Sequence, residues 1–429
     1  MYYDVITCGA GPAGIGAAIA AGRMGARTLL VERFFHVGGL ATSAFVETWC
    51  DSMGGPLFDE LEQRMTELGA AKRFFNAKSH LYKPGRVRME GAMLKAVALE
   101  TIAEAAVEVL FGTTVESARV EKGRVTGVYV ANKAGRSRID ANLVIDATAD
   151  ADVAFSAGVE CRKGHPEDGR LQHVNYKLQF EGVDGEKYES EKPAEDDLLD
   201  RIHAAQKAGK LRPPTGVFLP PAESFPYDPK GHKLYATYWE IENVDATDPH
   251  AVSRTVAECQ LAALDIVRFG RQSLPGFEKC RIARLPAALG VRESRRIVGR
   301  YVLTRDDVLA GRKFEDGVAQ ACFYMDHHDS PPGFTVRHHT LDFKKAHRPP
   351  DHDWYEIPYR CLLPKDVEGL LVAGRCISSD RDANGSLRIM PTCMFTGTAA
   401  GTAAALAVNR KALPHEISGS DVRRQVMGG

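Results

Sequence analysis

The sequence predicts an α/β protein: a central parallel sheet carrying a β-meander, with an α+β segment inserted before the chain returns to finish the sheet. Three observations predict it. The chain opens with an apolar run, a glycine turn and an Ala-rich helical stretch, "YYDVITCGAGPAGIGAAIAAGRMGARTLLVER". Residues 107–146 break into short β-branched runs separated by Lys-Gly and Ala-Gly turns. Near the far end, "GLLVAG" reads as one more buried strand and "MPTCMFTGTAAGTAAALAV" as a small-residue helix. A chain of 429 residues is too long for one simple core. Two joined domains are expected, one from residues 1–160 with 355–429 and one from 161–354.

In chain order, residues 3–8 and "TLLVE" (28–32) are strands flanking a helix that runs to about Gly25, one βαβ unit. "GGPLFDELEQRMTELG" is a helix, with Leu57, Leu61, Met65 and Leu68 at helical spacing, and "EGAMLKAVALETIAEAA" is another. The meander then returns through "LVIDA" to the core. From 161 to about 350 the pattern is mixed: a charged, Pro-rich stretch at 181–229, a strand "KLYATYWEI", and a helix over about 249–269. This is the inserted α+β segment.

Composition narrows the function. Lys plus Arg number 55 against 56 for Asp plus Glu, so no net field draws the protein to nucleic acid or an anionic membrane. Nine cysteines are scattered singly and no CxxC occurs, which spells out neither a zinc ribbon nor a dithiol centre. An odd count without a secretory signal fits reduced thiols and a cytoplasmic location. Residues 390–408 approach spanning length, but their Ala, Gly and Thr suit a buried helix packed under a sheet better than a membrane. A small-molecule substrate is the partner expected; homo-oligomer formation is left open.

The turn Gly9-Ala10-Gly11-Pro12-Ala13-Gly14 follows a strand and opens a helix. In a Rossmann-like dinucleotide turn the first glycine permits the bend, the second lets the backbone approach the pyrophosphate, and the third lets helix and strand pack closely. Glu32 ends the second strand, where a carboxylate accepts hydrogen bonds from a ribose and repels the extra phosphate of NADP. Three features favour flavin over nicotinamide. Gly38 and Gly39 in "RFFHVGGLAT" admit a second backbone segment beside a cofactor. The meander precedes "LVIDATADAD". The last strand and helix complete the first domain, so a cofactor lies between N- and C-terminal segments.

With these stretches, "GVRESRRIVGRYVLTRDDVLAGRKFEDGVA", "MDHHD" and "YEIPYRCLLPKDVEGLLVAGRCISSDRDANGSLRIMPTCMFTGTAAGTAAALA", the chain resembles the bacterial FAD-dependent oxidoreductases. These share the glutathione-reductase-type FAD fold and are distant kin of fumarate reductase flavoproteins. The resemblance leaves only about 160–280 unmatched. It implies FAD, with Gly9, Gly11, Pro12, Ala13 and Gly14 at the pyrophosphate, Glu32 at the adenosine ribose and Arg33 at the adenine side. Gly39, Leu40, Ala41 and Thr42 would run beside the ribityl chain, and Val115 would meet adenine. Thr148 would stand in the family's Ala-Thr-Gly turn, here Ala147-Thr148-Ala149 with the glycine missing. Gly374 and Arg375 would lie by the ribityl phosphate. Arg388, Ile389 and Met390 would lead into a helix whose N-terminus faces the flavin's pyrimidine edge. His36 lies too close to Gly38 for the attached histidine of the fumarate reductase group, so the flavin is non-covalent.

Catalytic groups are less sharply marked. Arg292 and Arg295, with Arg296, could grip a substrate carboxylate or form an ion-pair lattice with Glu293, Asp306 and Asp307. Arg360, with Arg375 and Arg388, raises the same question nearer the flavin. "DHHD" invites a metal, yet neighbouring histidines on a strand face opposite ways and no third ligand completes a set, so no metal is expected. His327 or His328 is the general acid or base expected there; His338, His339, His347 and His352 follow in the same region. Cys393 near a helix start, Tyr324 and Tyr359 are further groups. The function expected is an oxidoreductase, a dehydrogenase or reductase, moving a hydride between a small organic, carboxylate-bearing substrate and FAD, with a separate electron acceptor. The alternatives are a flavin monooxygenase, disfavoured by Arg375 where hydroxylases carry Asp, and a flavin-stabilised binding protein.

Overall fold

The computed structural model describes residues 2–74, 85–212, 216–218, 222–227, 233–329 and 341–428. The apolar run becomes β1 (Tyr2–Cys8), the glycine turn leads into α1 (Pro12–Arg23), and the chain returns as β2 (Thr28–Val31), parallel to β1. All of β2 is buried, as a strand covered on both faces should be. Glu108–Leu110 extends the sheet beyond β2, and Gly135–Asp146 lies parallel to β1 on its other side. That last strand serves twice. Its first half pairs antiparallel with Arg124–Asn132, which pairs in turn with Thr114–Glu121; its end takes Leu370–Val372 as a parallel neighbour. The meander therefore grows out of a strand of the parallel sheet, and the chain's late segment closes that sheet.

The closing helix, Met390–Arg410, is buried along most of its length against α1. Glycine makes this contact close. A Cβ on Gly397 would stand 2.0 Å from the Ala13 carbonyl oxygen, one on Gly401 2.0 Å from that of Ala17, and one on Gly16 2.4 Å from that of Met394. The two backbones touch, which the small-residue composition anticipates. No helix among the described residues is long and apolar enough to cross a membrane. All nine cysteines are free.

Helices Pro56–Glu67 and Gly91–Glu104 form a second core with the outer face of α1, from Ile15, Ile19, Leu57, Leu61, Leu94 and Ile102. A third core belongs to an antiparallel sheet in which Val174–Glu181 lies between Lys233–Ile241 and Arg281–Arg284. The helix Pro249–Ser273, slightly longer than its sequence pattern predicts, covers it with Ala262, Ile266 and Phe269. Leu303, Val308, Val318 and Ala321 instead enter the first core, beneath the parallel sheet.

Candidate active site

Leaving β1, the chain turns at Gly9 with φ +96° and opens onto a cleft of about 1180 Å³, part of it exposed to solvent. The glycines of the turn have different duties. A Cβ on Gly9 would sit 2.7 Å from the Ala147 carbonyl oxygen, and one on Gly14 1.7 Å from that of Gly9. Both are demanded by the protein's own packing. At Gly11 the nearest heavy atom is the Gly39 Cα, 3.8 Å away. A side chain there meets no protein atom closely, so what Gly11 keeps clear is the cleft it lines.

Glu32 is buried and braces the turn. Its Oε2 accepts the Ala10 N–H at 2.7 Å and its Oε1 the Phe34 N–H at 2.8 Å, and each oxygen keeps a lone pair for another donor. The cleft is lined by Gly9, Gly11, Pro12, Ala13, Glu32, Arg33, Gly39, Leu40, Val115, Thr148, Gly374, Arg375, Arg388 and Met390, with Thr148 and Gly374 close beside the glycine turn. Four other expected cofactor residues stand outside the wall. Gly14 lies in the helix–strand contact just described. Ala41 is buried in the second core, and Thr42 donates its hydroxyl to the Val37 carbonyl at 2.8 Å. Ile389 packs with Phe323 and Tyr324.

The turn that lacks its glycine keeps a glycine's conformation: Ala149 adopts φ +72°, in the left-handed region that side chains disfavour. Next to it, the Asp150 carboxylate accepts the Arg375 Nη2 at 2.7 Å and the Ser294 hydroxyl. Burial alone would raise the Asp150 pKa; the Arg375 charge and these hydrogen bonds hold it below the usual carboxylate value. Arg375 Nε, also buried, has no hydrogen-bond partner, and neither has Arg388 Nε. Two orphaned guanidinium donors on the wall of an open cleft fit a ligand that presents oxygens. The head of the closing helix completes that wall with Cys393, whose thiol burial pushes up to about 12, so it stays protonated.

None of the five expected catalytic residues lines the cleft, and they divide by environment. The ring nitrogens of His328 lie 3.0 Å from Asp326 Oδ2 and 2.7 Å from Glu240 Oε1. Arg292 Nη2 donates to the same Glu240 oxygen at 2.7 Å, and Arg388 Nη2 to the Asp326 carbonyl at 2.8 Å. A continuous chain of charges thus runs from the cleft wall inward: Arg388, Asp326, His328, Glu240, Arg292. Burial and Arg292 push the His328 pKa down, but Asp326 and Glu240 outweigh them and hold it above the usual histidine value. His327 turns to Asp382 at 3.1 Å. Arg295 donates to Asp152 at 2.6 Å and lies over the Phe155 ring. Arg360, half exposed, pairs with Asp316 at 2.9 Å.

The ion-pair lattice therefore exists, with one of the pairings the sequence suggests and several it does not. Of Glu293, Asp306 and Asp307, Glu293 takes part, with Arg296 at 2.7 Å and Arg381 at 3.2 Å, while Asp307 pairs with Arg312. Tyr359 is buried and bonded to the Pro414 carbonyl. His338 and His339 lie outside the described residues. Sequence analysis missed Asp326 and Glu240. The first was visible in "DHHD" but overshadowed by its histidines; the second sits on a strand with no motif around it.

A parallel βαβ unit, a glycine turn facing a cleft, an acidic residue ending the second strand and a late helix closing the wall define a dinucleotide-dependent enzyme. The chain belongs to the FAD dependent oxidoreductase family, whose model matches residues 4–426. FAD is the cofactor of this family and of this chain. It is 35% identical over 130 residues to the thiamine thiazole synthase of Aeropyrum pernix, covering 30% of this chain and 43% of that protein. It is 29% identical over 154 residues to digeranylgeranylglycerophospholipid reductase 1 of Methanopyrus kandleri, covering 34% and 40%. The matches thus span less than half the length of these curated relatives. Among solved structures, a geranylgeranyl bacteriochlorophyll reductase-like protein of Thermoplasma acidophilum aligns with 99% of this chain and 82% of its own, at 14% identity and a TM-score of 0.45.

Proposed function

We propose that the protein moves a hydride between a small organic substrate and non-covalently bound FAD and passes the electrons to a separate acceptor. The observation that carries this is one cleft lined by Gly11, Glu32, Arg375 and Arg388, in which the Nε donors of both arginines are buried and without a hydrogen-bond partner. In this assignment Gly9, Gly11, Pro12 and Ala13 hold the pyrophosphate, Gly14 serves the packing behind them, and Glu32 offers its remaining lone pairs to the adenosine ribose. Arg33 and Val115 flank the adenine. Gly39 and Leu40, with Thr148, Gly374 and Arg375, hold the ribityl side, and Arg388 and Met390 bring the closing helix to the ring.

FAD when bound supplies the hydride chemistry; the chain supplies position and charge. Asp326 fixes Arg388 at the inner end of the cleft, and His328, with Arg292, keeps Asp326 and Glu240 ionised and in place. His328 is thus a positioning residue, acting on the cleft through Asp326. The segment 161–354 provides the substrate side.

Anaerobic photoreduction followed by mixing with candidate acceptors tests the assignment. Reoxidation should be faster with an organic acceptor, such as a quinone, than with dioxygen. NAD(P)H consumption coupled to oxygen uptake and a hydroxylated product would replace it with monooxygenation. A reduced flavin that no acceptor reoxidises would leave a binding protein.

A further inference from the structure

We propose that Ser43 is the proton-exchanging hydroxyl of the cleft and that His36, bonded to it, holds the proton that accompanies the electrons. This rests on the proposed exchange of a hydride between a substrate and FAD, and adds the residues that handle the proton.

Ser43 ends the short helix Leu40–Ser43 that follows Gly39, and it lines the cleft. Its hydroxyl oxygen lies 3.0 Å from His36 Nε2. Its carbonyl accepts the Ala287 N–H at 2.8 Å and the Ala288 N–H at 3.2 Å, and Ala288 lines the same cleft. Ser43 therefore stands where the part of the chain that carries the glycine turn meets the segment 161–354, which provides the substrate side in the proposed function.

The pair is set up to exchange a proton. His36 is half-buried and stacks on the Phe34 ring at 5.6 Å between centroids. Burial, and then repulsion from Lys95 on the helix Gly91–Glu104, hold its pKa below the usual histidine value, so it is mainly neutral at pH 7. With the ring proton on Nδ1, Nε2 accepts the Ser43 O–H and leaves the serine oxygen free to take a proton from the cleft. The acidic groups of the lining are engaged: Glu32 by two backbone N–H groups, Asp150 by Arg375 and Ser294, Asp152 by Arg295. When a substrate is oxidised there, its hydride passes to FAD and the proton it loses passes to Ser43 Oγ, whose own proton moves to His36 Nε2. The separate acceptor later takes the hydride equivalent, and His36 returns its proton to water. Reduction of a substrate runs the same transfers backwards.

Reduction of FAD places negative charge in the cleft and should draw a proton onto His36 even without a substrate. Equilibrium reduction of the FAD-loaded protein by dithionite with redox dyes, from about pH 5 to about pH 8, reads this. Each proton taken up with two electrons lowers the potential by about 30 mV per pH unit. Over part of the range the parent plot should be steeper than that of His36→Asn by up to this amount, and Ser43→Ala should show the shallower plot too. His250→Asn, at an exposed position, should match the parent. Parallel plots for the parent and either His36→Asn or Ser43→Ala, or equal flattening in His250→Asn, would overturn the proposal. Should a variant fail to hold FAD, NMR titration of the parent decides: the His36 imidazole should gain a proton more readily with FAD reduced than oxidised, and identical titrations would overturn the proposal. A parent protein that takes up no FAD would sink the cofactor assignment itself, whereas FAD binding with parallel plots sinks this inference alone.

Discussion

The outer and inner ends of the cleft are built by different means. The outer end is built of backbone: a turn with no side chains at Gly9, Gly11 and Gly14, braced by the Glu32 carboxylate on two backbone N–H groups. The inner end is built of charged side chains that hold one another, from Arg388 through Asp326 and His328 to Glu240 and Arg292. The first depends on shape within a short stretch of chain. The second depends on charge assembled from four separate stretches and titrates.

The largest effect should separate the two kinds of glycine at the outer end. Gly14→Val sets a side chain against the Gly9 carbonyl and should cost about 3 kcal/mol or more, read as loss of soluble, cooperatively melting protein. Gly11→Val should fold with nearly the parental Tm and yet purify with little FAD. Equal stability losses in the two variants would erase the distinction.

Between the ends stands the Arg375–Asp150 pair. Arg375→Met leaves a largely buried carboxylate without its cation and should cost about 3 kcal/mol at pH 7 in chemical denaturation. Because the Asp150 pKa is held low in the folded protein, its contribution is present above the unfolded carboxylate value and lost as pH falls through the folded one. The gap between parent and variant should therefore narrow in acid. A gap independent of pH would remove Asp150 as its source.

A smaller change is expected at the inner end. His328→Gln takes a cation from between two carboxylates and should cost about 2 kcal/mol at pH 6. The His328 pKa is raised, so its stabilisation is complete below the unfolded value of about 6.5 and disappears as pH rises through the folded one. Parent and variant should converge in alkaline solution, and the pH profile of flavin reduction should shift with them. A stability deficit that persists unchanged at high pH would show that packing, not charge, is what His328 contributes.

Most of the outer end was legible in the sequence, because a glycine turn, the acidic residue after it and a helix of Ala, Gly and Thr declare their constraints within a few residues of one another. Even Ala149, an apparent departure from the family turn, keeps the positive φ its neighbours impose. The inner end was not legible. Glu240 belongs to a strand of the inserted segment, Asp326 follows a strand of the first core, and Arg292 lies in a loop between them. Nothing in their local spacing says that one histidine joins them. The arginines at 292–296 were recognisable as ion-pair formers, but their partners are chosen by the fold.

The contact of Gly16, Gly397 and Gly401 across two helices has a bearing on how the protein is made. The glycine turn leaves the ribosome well before the helix Met390–Arg410, which adds Met390 and Cys393 to the cleft lining. A nascent chain can pair its early strands, but it must wait for that late helix before the cleft lining is complete. Capture of the cofactor should then be a post-translational event, and a stalled chain ending before residue 390 should emerge colourless.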